Sequence, residues 1–159
     1  MRNPLIQLTT ALIIGGSFIF SPLAAAENSV KDRLDEIGVK YEVDKDGDYK
    51  ITYSYKKENR TQLVYVSGKT ETVNGLVIRE IFAPAAGVAE DKIDGKQALE
   101  LLSDSNKKKM GSWEISGNML IFNVKIPDDI DAKSLETVLD LAAEIADDME
   151  LKLTGKDDL

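Results

Sequence analysis

The chain has 159 residues, and its 28 acidic and 20 basic side chains give a formal net charge of −8 at pH 7. It contains no cysteine and no histidine. These absences exclude thiol nucleophiles, imidazole bases, Ser-His-Asp triads, histidine-ligated haem and ordinary zinc sites. The residue types still permit carboxylate or lysine catalysis, binding of hard metals through oxygen, or binding without catalysis. The acidic excess disfavours nucleic acid as a partner, because phosphate backbones are repelled.

The first 26 residues have the three-part pattern of a cleavable secretory signal peptide. Arg2 is the single charged residue before Glu27, and a mainly apolar stretch runs from Leu5 to Phe20. Ala24 and Ala26 then fit the two positions at which signal peptidase requires small side chains. The sequence therefore predicts cleavage before Glu27 and a mature protein that is periplasmic or secreted.

The alternative interpretation of this segment is an uncleaved membrane anchor. A membrane-spanning helix needs about 20 apolar residues, whereas this stretch is shorter and ends at small residues. Cleavage removes 26 residues and one positive charge, which leaves 133 of the 159 residues and changes the net charge from −8 to −9. That length suits one domain. Because no second long apolar run follows, we expect no membrane association after cleavage.

The mature region alternates between helical and strand patterns. Apolar residues recur at helical spacing over residues 29–37, over about 95–104, and after a capping Asp131. Strand patterns occupy 39–43, 49–56, 63–67, 76–82, 111–116 and 119–126. The predicted order is α-β-β-β-β-α-β-β-α, ending in a frayed tail over 154–159. Strands linked as hairpins indicate a single α+β domain, residues 27–159, with an antiparallel sheet and flanking helices.

The sequence also predicts where the third and fourth strands end and which face of the last helix is exposed to solvent. Residues 68–75 are predicted to be a polar loop between the third and fourth strands, and the segment 83–87 is predicted to end the fourth strand. The last helix should present a solvated acidic face opposite its apolar stripe. That face is formed mostly by Asp140, Glu144, Asp147, Asp148 and Glu150.

The second helix is predicted to begin after Asp94, with Ala98, Leu101 and Leu102 facing inward. Lys107–Lys109 follow its end, where positive charge is favourable because the C-terminus of a helix is the negative end of its dipole. We interpret this triplet as a solvated turn, with an anion-binding patch as the alternative.

Residues 44–48, Asp-Lys-Asp-Gly-Asp, resemble the first half of an EF-hand calcium loop. Such a loop requires glycine at position 6 and a bidentate glutamate at position 12, but this chain has Tyr49 and Tyr55 there. Strand patterns flank the segment where an EF-hand has helices. We therefore interpret it as an acidic hairpin turn, leave weak calcium binding open, and assign no metal site and no cofactor.

Arg79 and Trp113 are the candidate binding residues, and no catalytic residue is predicted. Arg79 alternates with Val77 and Ile81, so it faces the core if they do. An inward arginine could pair with a carboxylate or bind an anion; the alternative is a different strand register. Trp113 alternates with Ile115, which favours packing in the core or on the sheet over a stacking platform for a ligand.

Nearly all of the mature chain resembles the YbjN-like proteins, a family described as bacterial sensory transduction regulators. The segments that carry the resemblance are 34–44, Gly47-Asp48, Val77–Ile81, Leu101-Leu102, Asn106, Lys109, Gly111–Trp113 and 141–147. The resemblance implies a fold similar to type III secretion chaperones and a role in regulation or binding. It supplies no catalytic residues, and the signal peptide departs from the cytoplasmic members. Because chaperones of this shape commonly dimerise, it also raises homodimerisation.

The residues and the resemblance together predict an exported, non-enzymatic binding module, chaperone-like or regulatory, for a protein or peptide partner. The alternatives are a small-ligand or ion-binding periplasmic protein and a carboxylate-dependent enzyme. The enzyme requires a pocket lined by two or more carboxyl groups with raised pKa values. The recognition surface is expected where helices leave the sheet uncovered, or at an edge beside the hairpin of residues 111–126.

The cleavage prediction can be tested with three single substitutions. We expect Ala24→Leu and Ala26→Leu to block processing, because a large side chain does not fit the shallow pockets of signal peptidase. Ala25→Leu is the matched control and should be processed. N-terminal sequencing of the exported wild-type protein should begin at Glu27, and a start elsewhere contradicts the assigned site.

Overall fold

The computed structural model describes residues 29–157. Its elements are α1 (Val30–Glu36), β1 (Tyr41–Val43), β2 (Tyr49–Tyr55), β3 (Arg60–Val73), β4 (Leu76–Gly87), α2 (Gly95–Ser105), β5 (Ser112–Ser116), β6 (Met119–Pro127) and α3 (Ala132–Thr154). The six strands form one antiparallel sheet in the order β1-β2-β3-β4-β6-β5. The predicted α+β class and element order are confirmed. The predicted cleavage site, Ala24, Ala26 and Glu27, lies outside the described residues.

Side chains cap each of the three described helices at its N-terminus. Ser29 accepts a hydrogen bond from the main-chain N–H of Asp32, and Asp94 and Asp131 do the same at α2 and α3. Such caps satisfy N–H groups that have no partner within the helix. None of the helices within residues 29–157 is both long enough and apolar enough to cross a membrane.

Helix α3 packs across β3, β4 and β6 on one side of the sheet. Its fully buried residues are Leu135, Leu139, Ala142, Ala143 and Ala146. Strand residues alternate between the two sides of a sheet, and the buried positions facing α3 are Ile51, Val64, Val66, Ile81, Ala83, Phe122 and Val124. Because burying one large apolar side chain contributes about 1.5–3 kcal/mol, this interface forms the core.

The polar loop predicted over residues 68–75 is wrong. Strand β3 runs to Val73 and β4 begins at Leu76, so only Asn74-Gly75 joins them. These turn residues have φ of 50° and 88°, the left-handed backbone that asparagine and glycine adopt in two-residue hairpins.

Strand β4 also continues past its predicted end. It extends through residues 83–87, and Gly87 pairs with Met119 of β6. A register shift between Pro84 and Ala86 accommodates the proline, which lacks a main-chain N–H for the ladder.

Helix α2 faces the core differently from the prediction. Leu101 is 6% exposed, whereas Leu102 is 67% exposed and Ala98 is also exposed. Adjacent helical residues point about 100° apart, so Leu101 and Leu102 cannot both lie at the centre of one buried face.

The C-terminal part of α3 also departs from expectation. Asp147 and Glu150, which were predicted to lie mostly on the solvated face, are 5% and 2% exposed. The tail is attached rather than frayed as far as residue 157, because the carboxylate of Asp157 accepts a hydrogen bond of 3.0 Å from the main-chain N–H of Thr61.

Gly68 provides a test of the packing between β3 and the β1–β2 turn. A Cβ at this position lies 2.0 Å from the main-chain oxygen of Gly47. We expect Gly68→Ala to lower the free energy of unfolding by roughly 1–3 kcal/mol through overpacking. Gly95→Ala is the matched control, because a Cβ there meets nothing within 4 Å. Urea unfolding measures both, and equal stabilities would contradict the close approach.

Candidate functional site

The side of the sheet opposite α3 has no helix against it in the described part of the chain. We call this side the open face. Its centre is an apolar band formed by Leu63, Tyr65, Phe82, Pro84 and Ile121, which alternate with the core positions along β3, β4 and β6. The rings of Tyr65 and Phe82 stack in parallel with centroids 5.1 Å apart.

The apolar band is accessible only in part. Leu63, Tyr65 and Phe82 are half-buried, whereas Pro84 and Ile121 are buried. Contiguous apolar side chains on an otherwise charged surface are typical of interaction sites. The open face is therefore the candidate functional site.

A polar cluster centred on Glu114 borders the apolar band. Its carboxylate receives hydrogen bonds from Lys125 Nζ at 2.9 Å and Asn123 Nδ2 at 3.0 Å. Burial alone would raise the pKa of Glu114, but these bonds outweigh it and lower the pKa. Glu80 lies 3.7 Å from the same Lys125 ammonium group. Two carboxylates thus surround one ammonium group on this part of the open face, and hydrogen bonds and ion pairs hold them in position.

Beyond this cluster the open face continues as a groove of about 500 Å³. The groove runs along residues 69–77, which we call the β3–β4 arm. Apolar residues Val73 and Leu76, 53% and 63% exposed, line it together with Ile78. Lys69 and Glu71 add one charge of each sign. The groove therefore offers apolar contact with a balanced pair of charges.

The outer edge of the arm is unpaired beyond Lys69. The last pair between β2 and β3 is Tyr49 with Val66, so β3 from Thr70 to Val73 has no strand on its outer side. At Lys69 the main-chain N–H donates to Ser67 Oγ at 3.2 Å, and the carbonyl oxygen accepts a hydrogen bond from the same hydroxyl group at 3.0 Å. The β1–β2 turn reaches only Gly68, whose N–H donates to Asp48 Oδ1 at 2.9 Å. Unpaired strand edges can accept an added strand through main-chain hydrogen bonds.

Arg79 lies on the covered side of the sheet, 8% exposed, and pairs with a carboxylate, one of the options that the sequence left open. Its Nε donates to Asp128 Oδ1 and its Nη1 donates to the carbonyl oxygen of Ser67. Arg33 of α1 donates to the same Asp128 oxygen at 3.2 Å and to the carbonyl oxygen of Ile130 at 2.9 Å. The cluster ties α1 and β4 to the segment that leads into α3.

The carboxyl group of Asp128 is held ionised by its two arginine partners. Burial alone would raise its pKa, but the hydrogen bonds and positive charges of Arg79 and Arg33 lower it. Both guanidinium groups are nearly inaccessible, with side-chain exposures of 10% and 3%. The contacts of Arg79 within the described chain are therefore structural.

Trp113 is 8% exposed and packs edge-on against Phe122 at a centroid distance of 5.1 Å. Its indole Nε1 donates to Asp104 of α2 at 2.9 Å, and this bond is the main cause of the lowered pKa of Asp104. Its main-chain N–H donates to Ser105 Oγ. Trp113 therefore holds α2 against the sheet on the covered side, away from the open face.

The acidic turn of residues 44–48 uses its carboxylates on main-chain groups. Asp44 Oδ1 accepts hydrogen bonds from the N–H groups of Asp46 at 2.8 Å and Asp48 at 3.0 Å. Gly47 has φ of 90° at the turn. No group of three or more carboxylates arranged for a metal ion occurs among residues 29–157.

A second acidic feature is a cleft between α3 and β2, which contains Asp140, Glu144, Asp147 and Asp148 beside Tyr53 and Tyr55. Burial raises the pKa of Asp147, although its ion pair with Arg60 at 3.0 Å partly opposes the shift. Tyr53 donates to Asp140 at 2.9 Å, and burial is the main cause of its raised pKa. This cleft thus brings four carboxyl groups together beside two tyrosine rings.

Sequence reasoning found the hairpin and the possibility of an uncovered sheet, but not the residues of the open face. The alternation along β3 gave no indication of which side helices would cover, because Leu63 to Val66 are apolar at every position. The Asn74-Gly75 pair was the available signal for the long arm.

A scan against protein-family models and a search of curated proteins both find no match to this chain.

The Arg79–Asp128–Arg33 cluster provides a stability prediction. We expect Asp128→Ala to cost roughly 2–3 kcal/mol, because it leaves two nearly buried guanidinium groups without their carboxylate. The contribution of Asp128 should be present above about pH 4, its ordinary pKa when unfolded, and lost as the pH falls through its lower folded value. Urea unfolding between about pH 7 and pH 2 measures this.

Lys31→Ala is the control for that experiment. It removes the exposed Lys31–Asp35 pair of α1, which should change stability by at most about 1 kcal/mol. Equal losses for the two variants would show that the buried cluster contributes no more than a surface ion pair.

Proposed function

We propose that this protein is an exported, non-enzymatic binding module that holds an extended segment of a protein partner against the open face. The main support for this proposal is the side of the sheet that no described helix covers. Its apolar band continues into the groove of the β3–β4 arm. Export is proposed from the signal-peptide pattern of residues 1–26, and the role agrees with the chaperone-like resemblance.

An extended polypeptide fits this surface better than a compact small ligand does. Small-ligand sites are concave and enclose most of their ligand, whereas the apolar band lies on a sheet face that is open to one side. Extended chains present side chains at alternate positions and main-chain groups along an edge. The apolar band can contact these side chains, and the unpaired edge from Thr70 to Val73 can pair with the main-chain groups.

The mixed charges of the surface support binding through apolar and main-chain contacts. Lys69 and Glu71 line the groove with opposite charges, and Lys125 pairs with both Glu114 and Glu80 beside the band. With little net charge on the open face, the domain's overall acidity is not expected to select the partner.

The proposal is tested by affinity capture from a periplasmic extract with the chain from Glu27, which contains every described element. Mass spectrometry identifies the retained protein, and synthetic segments of it are then titrated. Leu76→Asp and Val73→Asp should weaken binding at least tenfold, about 1.4 kcal/mol, because each places a charge in the apolar groove. Both side chains are more than half exposed, so we expect folded variants.

Val43→Asp is the matched control. Val43 is 59% exposed but pairs with Tyr49 on the opposite side of the sheet, so binding should be retained. If Leu76→Asp binds as tightly as wild type while its circular dichroism is native, the open face is not the recognition surface.

A further inference from the structure

Asn123 of β6 carries an unused hydrogen-bond acceptor on the open face. Its side chain is 3% exposed and lies directly opposite Phe82 of β4 and Ser112 of β5. Its Nδ2 donates to Glu114 Oε2 at 3.0 Å, whereas its Oδ1 has no hydrogen-bond partner within residues 29–157. Most buried polar groups in native proteins are bonded, because an unpaired one is costly. This oxygen is therefore available to a donor from outside the described chain.

The neighbouring carboxylate fixes the orientation of this amide. A flipped amide would set Asn123 Oδ1 against the Glu114 carboxylate, and two acceptors cannot bond to each other. Nδ2 must therefore face Glu114 on β5, so Oδ1 faces away from β5. The neighbour of Asn123 on that other side is Phe82.

The negative charges around Asn123 exceed the positive ones. Glu114 and Glu80 both pair with Lys125, at 2.9 and 3.7 Å, so two carboxylates share one ammonium group. The hydrogen bonds that lower the pKa of Glu114 keep its carboxyl group ionised at neutral pH. An excess of negative charge beside an unused acceptor favours a ligand group that is both a cation and a hydrogen-bond donor.

The ring of Phe82 adds a flat apolar surface at the same place. The open-face neighbours of Phe82 are Tyr65 on β3 and Asn123 on β6. The Tyr65 ring is stacked parallel to the Phe82 ring on the β3 side, so the second face of Phe82 is directed towards β6. An aromatic face beside carboxylates suits a cation, and a planar guanidinium group in particular.

We propose that this polar border of the open face is a subsite for one arginine side chain of the bound segment. The subsite consists of Asn123, Glu114, Glu80 and Phe82. One N–H of the guanidinium group donates to Asn123 Oδ1 and another donates to Glu114, while the plane of the group stacks on Phe82. Arginine fits better than lysine, because its donors form a planar fork and an ammonium group has no flat face. The inference rests on the proposed function, since it identifies a side chain of the segment proposed to bind there.

Lys125 occupies the position that the arginine takes. Its side chain is 52% exposed, so it can turn into solvent when a guanidinium group displaces its ammonium group from Glu114. The exchange keeps the carboxylates paired with a cation. It also adds the hydrogen bond to Asn123 Oδ1 and the stacking on Phe82, neither of which Lys125 provides. Lys125 is therefore a competitor of the ligand and not one of its partners.

The test titrates the chain from Glu27 into labelled synthetic peptides and measures fluorescence anisotropy. The peptides alternate valine and threonine and differ only at one central position, which is arginine, lysine or citrulline. Citrulline has nearly the shape of arginine but carries no charge. We expect the arginine peptide to bind roughly tenfold more tightly than the citrulline peptide, and the lysine peptide to lie between them.

Variants assign this preference to the subsite. Glu114→Gln should reduce the preference for arginine over citrulline from roughly tenfold to about twofold, because it removes the charge and keeps the shape. Glu71→Gln is the matched control, since it makes the same change in the groove of the open face, and it should keep the full preference. Lys125→Met should tighten binding of the arginine peptide and leave the citrulline peptide unchanged, because it removes the competing cation.

Asn123→Leu tests the unused acceptor directly. Without Oδ1 the additional donors of arginine have no acceptor there, so the arginine and lysine peptides should bind equally. Comparing two peptides on the same variant cancels partial unfolding, because an unfolded fraction lowers both affinities alike. If Asn123→Leu does not fold, the variants of Glu114 and Lys125 decide the question.

Four outcomes would overturn the subsite. The first two are that none of the three peptides binds, or that wild type binds the arginine and citrulline peptides equally. The third is a preference that survives Glu114→Gln. The fourth is weaker arginine binding by Lys125→Met, which would make Lys125 a partner of the ligand. If captured segments bind through Leu76 but show no preference for arginine, only the subsite fails and the proposed function stands.

Discussion

The packing of α3 onto one side of the sheet is the interaction on which the rest of the structure depends. At 23 residues and 1.5 Å per residue, this helix is about 35 Å long, enough to cross several strands. It buries its apolar stripe against β3, β4 and β6. The shorter α1 contacts α3 and α2 contacts β5, so both extend the same covered layer. Because the described chain has no further helix, the other side of the sheet is left uncovered as the open face.

Local signals predicted most of the elements, because each rests on a few neighbouring residues. Asp94 and Asp131 cap their helices as expected, and the hairpin of residues 111–126 turns at Gly117 with φ of 60°. The failed loop over 68–75 shows the limit of polarity as a guide. Its polar residues form the part of β3 that extends beyond β2. No buried core there requires polar and apolar residues to alternate. The positive φ of Asn74 and Gly75 fixes that hairpin instead.

The candidate site was harder to predict, because it depends on which elements meet. Arg79 was expected to face the core only if Val77 and Ile81 did. Its partner Asp128 lies 49 residues further along the chain, and the pairing of β4 with β6 brings the two together. Leu101 and Leu102 are equally apolar, and the docking of α2 through Trp113 decides which is buried. A sequence pattern shows that a residue is apolar, but it does not show whether another helix or strand covers that residue. The open face consists of residues that this ambiguity affects.

The docking of α2 and the open face do not interfere, because they lie on opposite sides of the sheet. Trp113, which anchors α2, pairs with Phe122 and shares its covered side, whereas Tyr65 and Phe82 stack on the open face. An extended segment can therefore contact the apolar band without displacing α2, because the bond from Trp113 to Asp104 that holds this helix lies on the covered side.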